Sequence, residues 1–218
     1  MSDTNEGGRK LKICGITSLE DARFASGAMA DYLGFVFFEG SKRYIEPSKA
    51  GAIINWLHGP ETVGVFVNET AESVNEIARM TGLDWVQLHG EETPDMCARI
   101  EKPVIKAIHV KDWMTSEDLR AAAAPYFEVA KMLLFDTSDV LVWGGTGRSF
   151  DWSLLRDQGW PLPVMVAGGI GPDNLAQAFE ESGAEAADLS SSVEVSPGVK
   201  DMDKINEVME VMRGYWEA

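Results

Sequence analysis

The stretch Leu11-Lys12-Ile13-Cys14-Gly15-Ile16-Thr17 reads as a short buried strand that turns at Gly15 and runs into a helix near Leu19, capped by Thr17 or Ser18. Parity along the strand puts Lys12 and Cys14 on the same side. A thiol beside an ammonium group has its thiolate populated near neutral pH. On this stretch alone, the plainer account is a buried structural cysteine.

The same strand-turn-helix unit recurs along the chain. Short apolar runs at Leu11–Cys14, Tyr32–Phe37, Thr62–Val67, Trp85–His89, Val104–Val110, Met132–Asp136, Val164–Ala167 and Ala186–Ser190 read as strands. Helical stripes lie between and after them: Val74, Ile77, Ala78 and Thr81; Leu175, Ala178 and Phe179; and Ile205, Val208, Met209 and Met212. Glu46-Pro47-Ser48 and Gly171-Pro172-Asp173 carry helix-start signals. About eight such repeats without a break in composition predict an α/β single domain, a closed (β/α)8 TIM barrel over residues 11–218, with Met1–Lys10 as a disordered tail. An open doubly wound sheet gives the same alternation, and the strand count is the argument against it. Pro161-Leu162-Pro163 is a stiff loop, not a domain boundary.

Composition narrows the function. The 218 residues are 45% hydrophobic and 25% charged, and their net charge of -16 argues against nucleic acid and anionic membranes as partners. An anionic substrate must then be held by local groups against the global field. No apolar run approaches the roughly 20 residues of a membrane helix. The first ten residues are polar and lack the apolar core of a signal peptide, which points to the cytoplasm. Cys14 and Cys97 form no redox or metal motif, and His58, His89 and His109 show no ligand spacing, so no metal is expected.

In a barrel, the C-terminal strand ends share one rim. Those ends carry Cys14, His89, Asp136, Gly168-Gly169, and Asp188 with Ser190 and Ser191. Asp136 closes the apolar run Met132–Phe135, where a carboxyl is costly unless paired or at a wet site. It reads either as a cap for the following loop or as the proton-transfer partner of Cys14. Gly168-Gly169 and the Asp188–Ser192 stretch follow the last two strands, the usual phosphate position of this fold, although a tight turn also explains the glycines. Arg43, in the loop after the second strand, is either a solvated charge or a bidentate carboxylate clamp. His89 shares a face with Gln87 and serves either a structural hydrogen bond or substrate binding. Gly144-Gly145-Thr146-Gly147-Arg148 fits neither phosphate-loop nor dinucleotide spacing, and it reads as a mobile loop over the rim with Trp143 beside it.

Taken in order, Lys12–Thr17, Ser41-Lys42-Arg43-Tyr44, Val86-Gln87-Leu88-His89-Gly90, Leu134-Phe135-Asp136, Gly144–Gly147, Ala167-Gly168-Gly169, Asp188–Ser191, Val193-Glu194 and Pro197–Asp201 resemble the phosphoribosylanthranilate isomerase family of tryptophan biosynthesis. The resemblance runs from Lys12 to about Lys204. It implies a cofactor-free Amadori rearrangement of N-(5-phosphoribosyl)anthranilate, a small phosphosugar substrate, with Asp136 as general acid and Cys14 as general base. It also implies that Arg43 binds the anthranilate carboxylate, that Asp188 binds a sugar hydroxyl, and that Gly168, Gly169, Ser190 and Ser191 hold the phosphate. Ser192 stands where the family usually has glycine, and Lys42 where proline or arginine is commoner. Related phosphate-binding barrels use two aspartates, or a metal with histidines, and Cys14 suits neither. A non-catalytic sugar-phosphate binder is the other reading. The oligomeric state, monomer or homodimer, is left open.

Overall fold

The computed structural model describes residues 8–137 and 149–216. Eight parallel strands are hydrogen-bonded in chain order, and the eighth returns to the first, so the sheet is a closed barrel and not an open one. The strands are β1 (Lys10–Cys14), β2 (Tyr32–Val36), β3 (Glu61–Phe66), β4 (Trp85–Leu88), β5 (Val104–Val110), β6 (Met132–Thr137), β7 (Val164–Val166) and β8 (Ala186–Leu189). Seven described helices accompany them: α1 (Leu19–Gly27), α2 (Pro47–Ile54), α3 (Ala71–Thr81), α4 (Pro94–Cys97), α5 (Ser116–Ala123), α6 (Leu175–Ser182) and α7 (Met202–Trp216). Past β8 the chain forms a small antiparallel pair, β9 (Glu194–Ser196) and β10 (Val199–Lys200). Among the described residues no helix is long and apolar enough to cross a membrane.

Strand parity sorts the side chains into two layers. Leu11, Ile13, Leu33, Phe35, Leu133 and Phe135 face the helices in one large outer core. Tyr32, Val63, Ile105, Leu134, Met165 and Ala186 fill the barrel interior. Cys14, Val36 and Val65 form a separate buried group with Phe38 packed on it. The helical stripes read from sequence are the buried faces of α3, α6 and α7, apart from the half-buried Ile77. Ser18 caps α1 by accepting from Asp21 N at 3.1 Å, and Pro47 opens α2.

The start of the barrel departs from expectation. β1 starts at Lys10, and the Arg9 guanidinium donates to the carbonyls of Gly183 and Ala184, so the end of the expected tail is bonded to the barrel. Met1–Gly7 lie outside the described residues, as does the loop Trp143–Arg148. Of the tryptophan and phenylalanine just after that loop, Trp152 and Phe150 are both buried in the outer core.

Candidate active site

The interior of β1 carries two polar groups where hydrocarbon would be the default. Lys12 is fully buried, and its Nζ donates to Asp188 Oδ2 at 2.9 Å across the β1–β8 register. Burial opposes the Lys12 charge, but Asp188 and Cys14 together raise its pKa above the ordinary value, so it is an ammonium. Asp188 Oδ1 is buried with no hydrogen-bond partner among the described residues. Burial also pushes the Asp188 carboxyl up, with Lys12 pulling the other way.

The sequence reading of Cys14 needs a correction. Burial raises the thiol pKa, and although Lys12 pulls it down, Asp188 adds to the rise and the net direction is upward. The carboxylate that neutralises Lys12 removes much of the help the ammonium would give. Without substrate, Cys14 is a thiol at neutral pH, not a populated thiolate. Its tight fit against β2 is visible at Gly34, where a Cβ would come 2.7 Å from Sγ.

Opposite β1, Asp136 near the end of β6 is partly exposed, and its Oδ2 lies 3.3 Å from His89 Nε2. Gln87 Nε2 lies 2.8 Å from His89 Nδ1, so the structural hydrogen bond anticipated for His89 is present. His109 Nε2–H donates to the His89 carbonyl at 2.8 Å. Burial, and then the neighbouring His89, lower the His109 pKa and keep that ring neutral. Asp136 Oδ1 faces Gly168, where an added Cβ would stand 2.8 Å away.

The glycine loop after β7 has the form the sequence suggested. Gly168 and Gly169 have φ of +86° and +66°, a region other residues rarely enter. Asn174 ties the loop by donating to Gly169 O at 2.9 Å and accepting from Gly171 N at 2.8 Å. Ser190 differs from a simple phosphate ligand, because its hydroxyl donates to Cys14 O at 3.2 Å. Ser191 is half-buried in a single helical turn running to Val193. Ser192 stands against Gly171, and its Oγ is buried without a partner among the described residues.

Arg43 is not a solvated charge. It is buried, with Nε 2.9 Å from Glu194 Oε1 and Nη2 2.7 Å from Oε2, which leaves Nη1 outside that bidentate pair. Glu194 also accepts from Lys200 Nζ at 2.8 Å, and the same ammonium donates to Cys14 O at 2.5 Å and Ser190 O at 3.3 Å. Burial alone would raise the Glu194 pKa, but Arg43 and Lys200 hold it below the ordinary value. Lys200, more deeply buried, goes the other way: burial lowers its pKa despite Glu194. Neither Glu194 nor Lys200 was singled out from sequence. Their only signal was a place in the Val193-Glu194 and Pro197–Asp201 motifs. Lys42, beside Arg43, is exposed. Among the described residues, no group of three His, Cys, Asp or Glu side chains is arranged to hold a metal ion.

A closed eight-stranded parallel barrel with thiol, carboxyl and imidazole groups at its C-terminal strand ends defines a (β/α)8 barrel of the enzyme type. Residues 11–211 match the family described as N-(5'-phosphoribosyl)anthranilate (PRA) isomerase. The N-(5'-phosphoribosyl)anthranilate isomerase of Hahella chejuensis is 46% identical over 208 residues, covering 94% of this chain and 95% of that protein. Two solved structures superpose closely. Monomers generated from the dimeric phosphoribosylanthranilate isomerase of Thermotoga maritima give a TM-score of 0.83 at 39% identity. A phosphoribosylanthranilate isomerase in complex with reduced 1-(o-carboxyphenylamino)-1-deoxyribulose 5-phosphate gives 0.82 at 38%. Each covers 94% of this chain and 99% of its own. The chain belongs to the phosphoribosylanthranilate isomerase family.

Proposed function

We propose that this barrel carries out the reaction for which its family is named. N-(5'-phosphoribosyl)anthranilate rearranges to 1-(2-carboxyphenylamino)-1-deoxyribulose 5-phosphate, in tryptophan biosynthesis and without a cofactor. Asp136 gives a proton to the ribose ring oxygen, the C1–O bond breaks with its electron pair going to that oxygen, and the nitrogen lone pair forms an iminium. Cys14 takes the proton from C2, and the resulting enolamine tautomerises to the ketone. Each proton transfer is worth on the order of 10²–10⁴-fold.

One observation carries the reading. Asp188 on β8 lies in electrostatic reach of Cys14 and Lys12 on β1 and of Asp136 and His89, which supports an acid and a base acting on one substrate. The unpartnered Asp188 Oδ1 suits a sugar hydroxyl. Gly168, Gly169, Ser190 and Ser191 form the phosphate end, chiefly through main chain, since the Ser190 hydroxyl is engaged. Arg43 meets the anthranilate carboxylate through the Nη1 edge that Glu194 leaves. Two buried free thiols, Cys14 and Cys97, suit the cytoplasm.

Burial of the base orders the steps. A thiol with a raised pKa becomes a competent base once ring opening places an iminium cation beside C2, which both acidifies the C2 proton and favours the thiolate. The test is loss of the intrinsic fluorescence of phosphoribosylanthranilate on adding purified protein. Cys14→Ser and Asp136→Asn should each abolish that loss almost entirely. Turnover within a few-fold of wild type in either variant removes the corresponding role.

A further inference from the structure

We propose that His89 and Gln87 are positioning residues for the acid: Gln87 fixes the His89 tautomer, and His89 in turn orients Asp136 and stabilises the carboxylate that proton transfer leaves behind. The inference rests on Asp136 being the acid. An amide nitrogen can only donate a hydrogen bond, so Gln87 Nε2, at 2.8 Å, requires His89 Nδ1 to be bare. The ring proton is then on Nε2, which faces Asp136 Oδ2 at 3.3 Å. Among the described residues Gln87 Oε1 is buried without a partner, so this buried amide spends its hydrogen bonding on the imidazole. The His89 main chain is held as well, by the His109 Nε2–H on its carbonyl.

The geometry divides the two oxygens of Asp136. Oδ2 lies 3.3 Å from His89 Nε2, and the acid proton belongs on Oδ1, the oxygen on the Gly168 side, where an added Cβ would also meet the Thr137 side chain. When Oδ1–H protonates the ribose ring oxygen, negative charge appears on the carboxylate. The Nε2–H then closes on Oδ2 as a hydrogen bond, because a donor to an ionised acceptor is worth roughly twice a neutral one. No proton leaves His89 in this step. The imidazole makes Asp136 a better acid without exchanging with substrate. Other charged or titratable groups around the pair are the neutral His109, whose ring centroid is 5.1 Å from that of His89, Lys106 beyond it in its Glu92 pair, and Asp188 with Lys12 across the barrel.

A donor to the charged form stabilises the carboxylate that proton transfer leaves behind, so removing the donor weakens the acid. His89→Leu should lower kcat about 10- to 100-fold, less than loss of a direct proton donor, with KM within about threefold of wild type. His89→Gln, which can place an N–H near the Nε2 position, should recover most of that loss. Gln87→Met should fall between. In the wild-type protein, 15N NMR of the neutral imidazole should find Nε2 protonated and Nδ1 bare. A raised KM with intact kcat in His89→Leu would make His89 a substrate contact and overturn the proposal, as would a wild-type ring protonated on Nδ1. The NMR measurement needs no variant to fold. If Asp136→Asn retains turnover, the acid assignment itself fails. If Asp136→Asn is dead while His89→Leu keeps wild-type kcat and pH profile, only the present inference fails.

Discussion

Gly34 offers the sharpest test of where the base sits. It is paired in register with Cys14 across β1 and β2 and shares the barrel interior with it. A Cβ at Gly34 would stand 2.7 Å from Cys14 Sγ, 3.1 Å from its Cα and 3.2 Å from its Cβ. Ordinary carbon contacts lie at about 3.5–4.0 Å, so the overlap with sulfur is about 1 Å. Rotating the thiol relieves the first contact but not the other two, so Gly34→Ala must move the strand as well as the sulfur. Overpacking of this kind costs about 1–3 kcal/mol, and in a chain of this size each kcal/mol lowers Tm by about 2–4 °C. The effect on activity is larger in proportion, because a 1 Å misplacement of a reacting group costs about 10²-fold. Gly64→Ala is the control: its Cβ would press hardest on Leu83, then on Phe66 at 2.8 Å and Phe37 at 3.1 Å, in the outer core away from Cys14. Thermal denaturation and steady-state turnover of both variants, measured well below Tm, separate the effects. Both should lose stability, and only Gly34→Ala should lose kcat by about two orders of magnitude. A Gly34→Ala enzyme within threefold of wild type would show that Cys14 Sγ is not the base.

The raised Cys14 pKa predicts slow alkylation by iodoacetamide at pH 7 in the empty protein, rising with pH past the ordinary thiol value of 9.0. Cys97, pushed up to about 11, should also react slowly, and fast alkylation of Cys14 at neutral pH would contradict the burial argument. Arg43→Ala should raise KM more than kcat falls and should also lower stability by about 3 kcal/mol, the order expected when one partner of a buried pair is removed. An unchanged KM would leave Arg43 a structural role alone. Glu92 and Glu194 are both held below their ordinary value of 4.5, so their stabilisation is fully present above that pH and is lost as pH falls through the lower folded-state value. Urea midpoints measured across this acid range should fall less steeply for Glu92→Gln than for wild type, and parallel curves would refute the assignment. Because ring opening precedes C2 deprotonation, Asp136→Asn should also abolish exchange of the substrate C2 hydrogen with deuterated water. Continued exchange would reverse that order.

Much of the barrel was legible because parallel strands covered on both faces read as unbroken apolar runs. Val104–Val110 was read to the residue, and every other strand end within one. The rim was legible for a related reason: Cys14, Asp136 and Asp188 interrupt hydrocarbon at strand ends, where polarity is costly without a use. What stayed hidden were partnerships across the chain. Arg43 and Glu194 lie 151 residues apart, and Lys12 and Asp188 lie 176 apart, so no local pattern joins them. That is why Arg43 was open to being read as a surface charge, and why Lys12 was credited with lowering the Cys14 pKa. The reading placed the ammonium correctly beside the thiol but could not see the carboxylate that neutralises it.

The buried lysines fix the proposed site's residues relative to one another. Pairs such as Lys106 with Glu92, or Lys200 with Glu194, are weak sources of stability, because desolvation of both ions consumes most of their attraction and apolar residues often replace such pairs without loss. Their geometry is more informative. Lys106 Nζ donates to the carbonyls of Leu88 and Gly90 as well as to Glu92, and so clasps the backbone on either side of His89. Lys200 does the same for the carbonyls of Cys14 and Ser190 while its Glu194 partner grips Arg43. One ammonium thus spaces the groups proposed as base, phosphate turn and carboxylate clamp, which come from β1, the turn after β8 and the loop after β2. A hydrophobic residue in place of Lys200 could fill the volume, but it could not hold three carbonyl and carboxylate oxygens at fixed distances. The proposed mechanism needs those distances fixed, because it removes a proton from one atom of a substrate held at both ends.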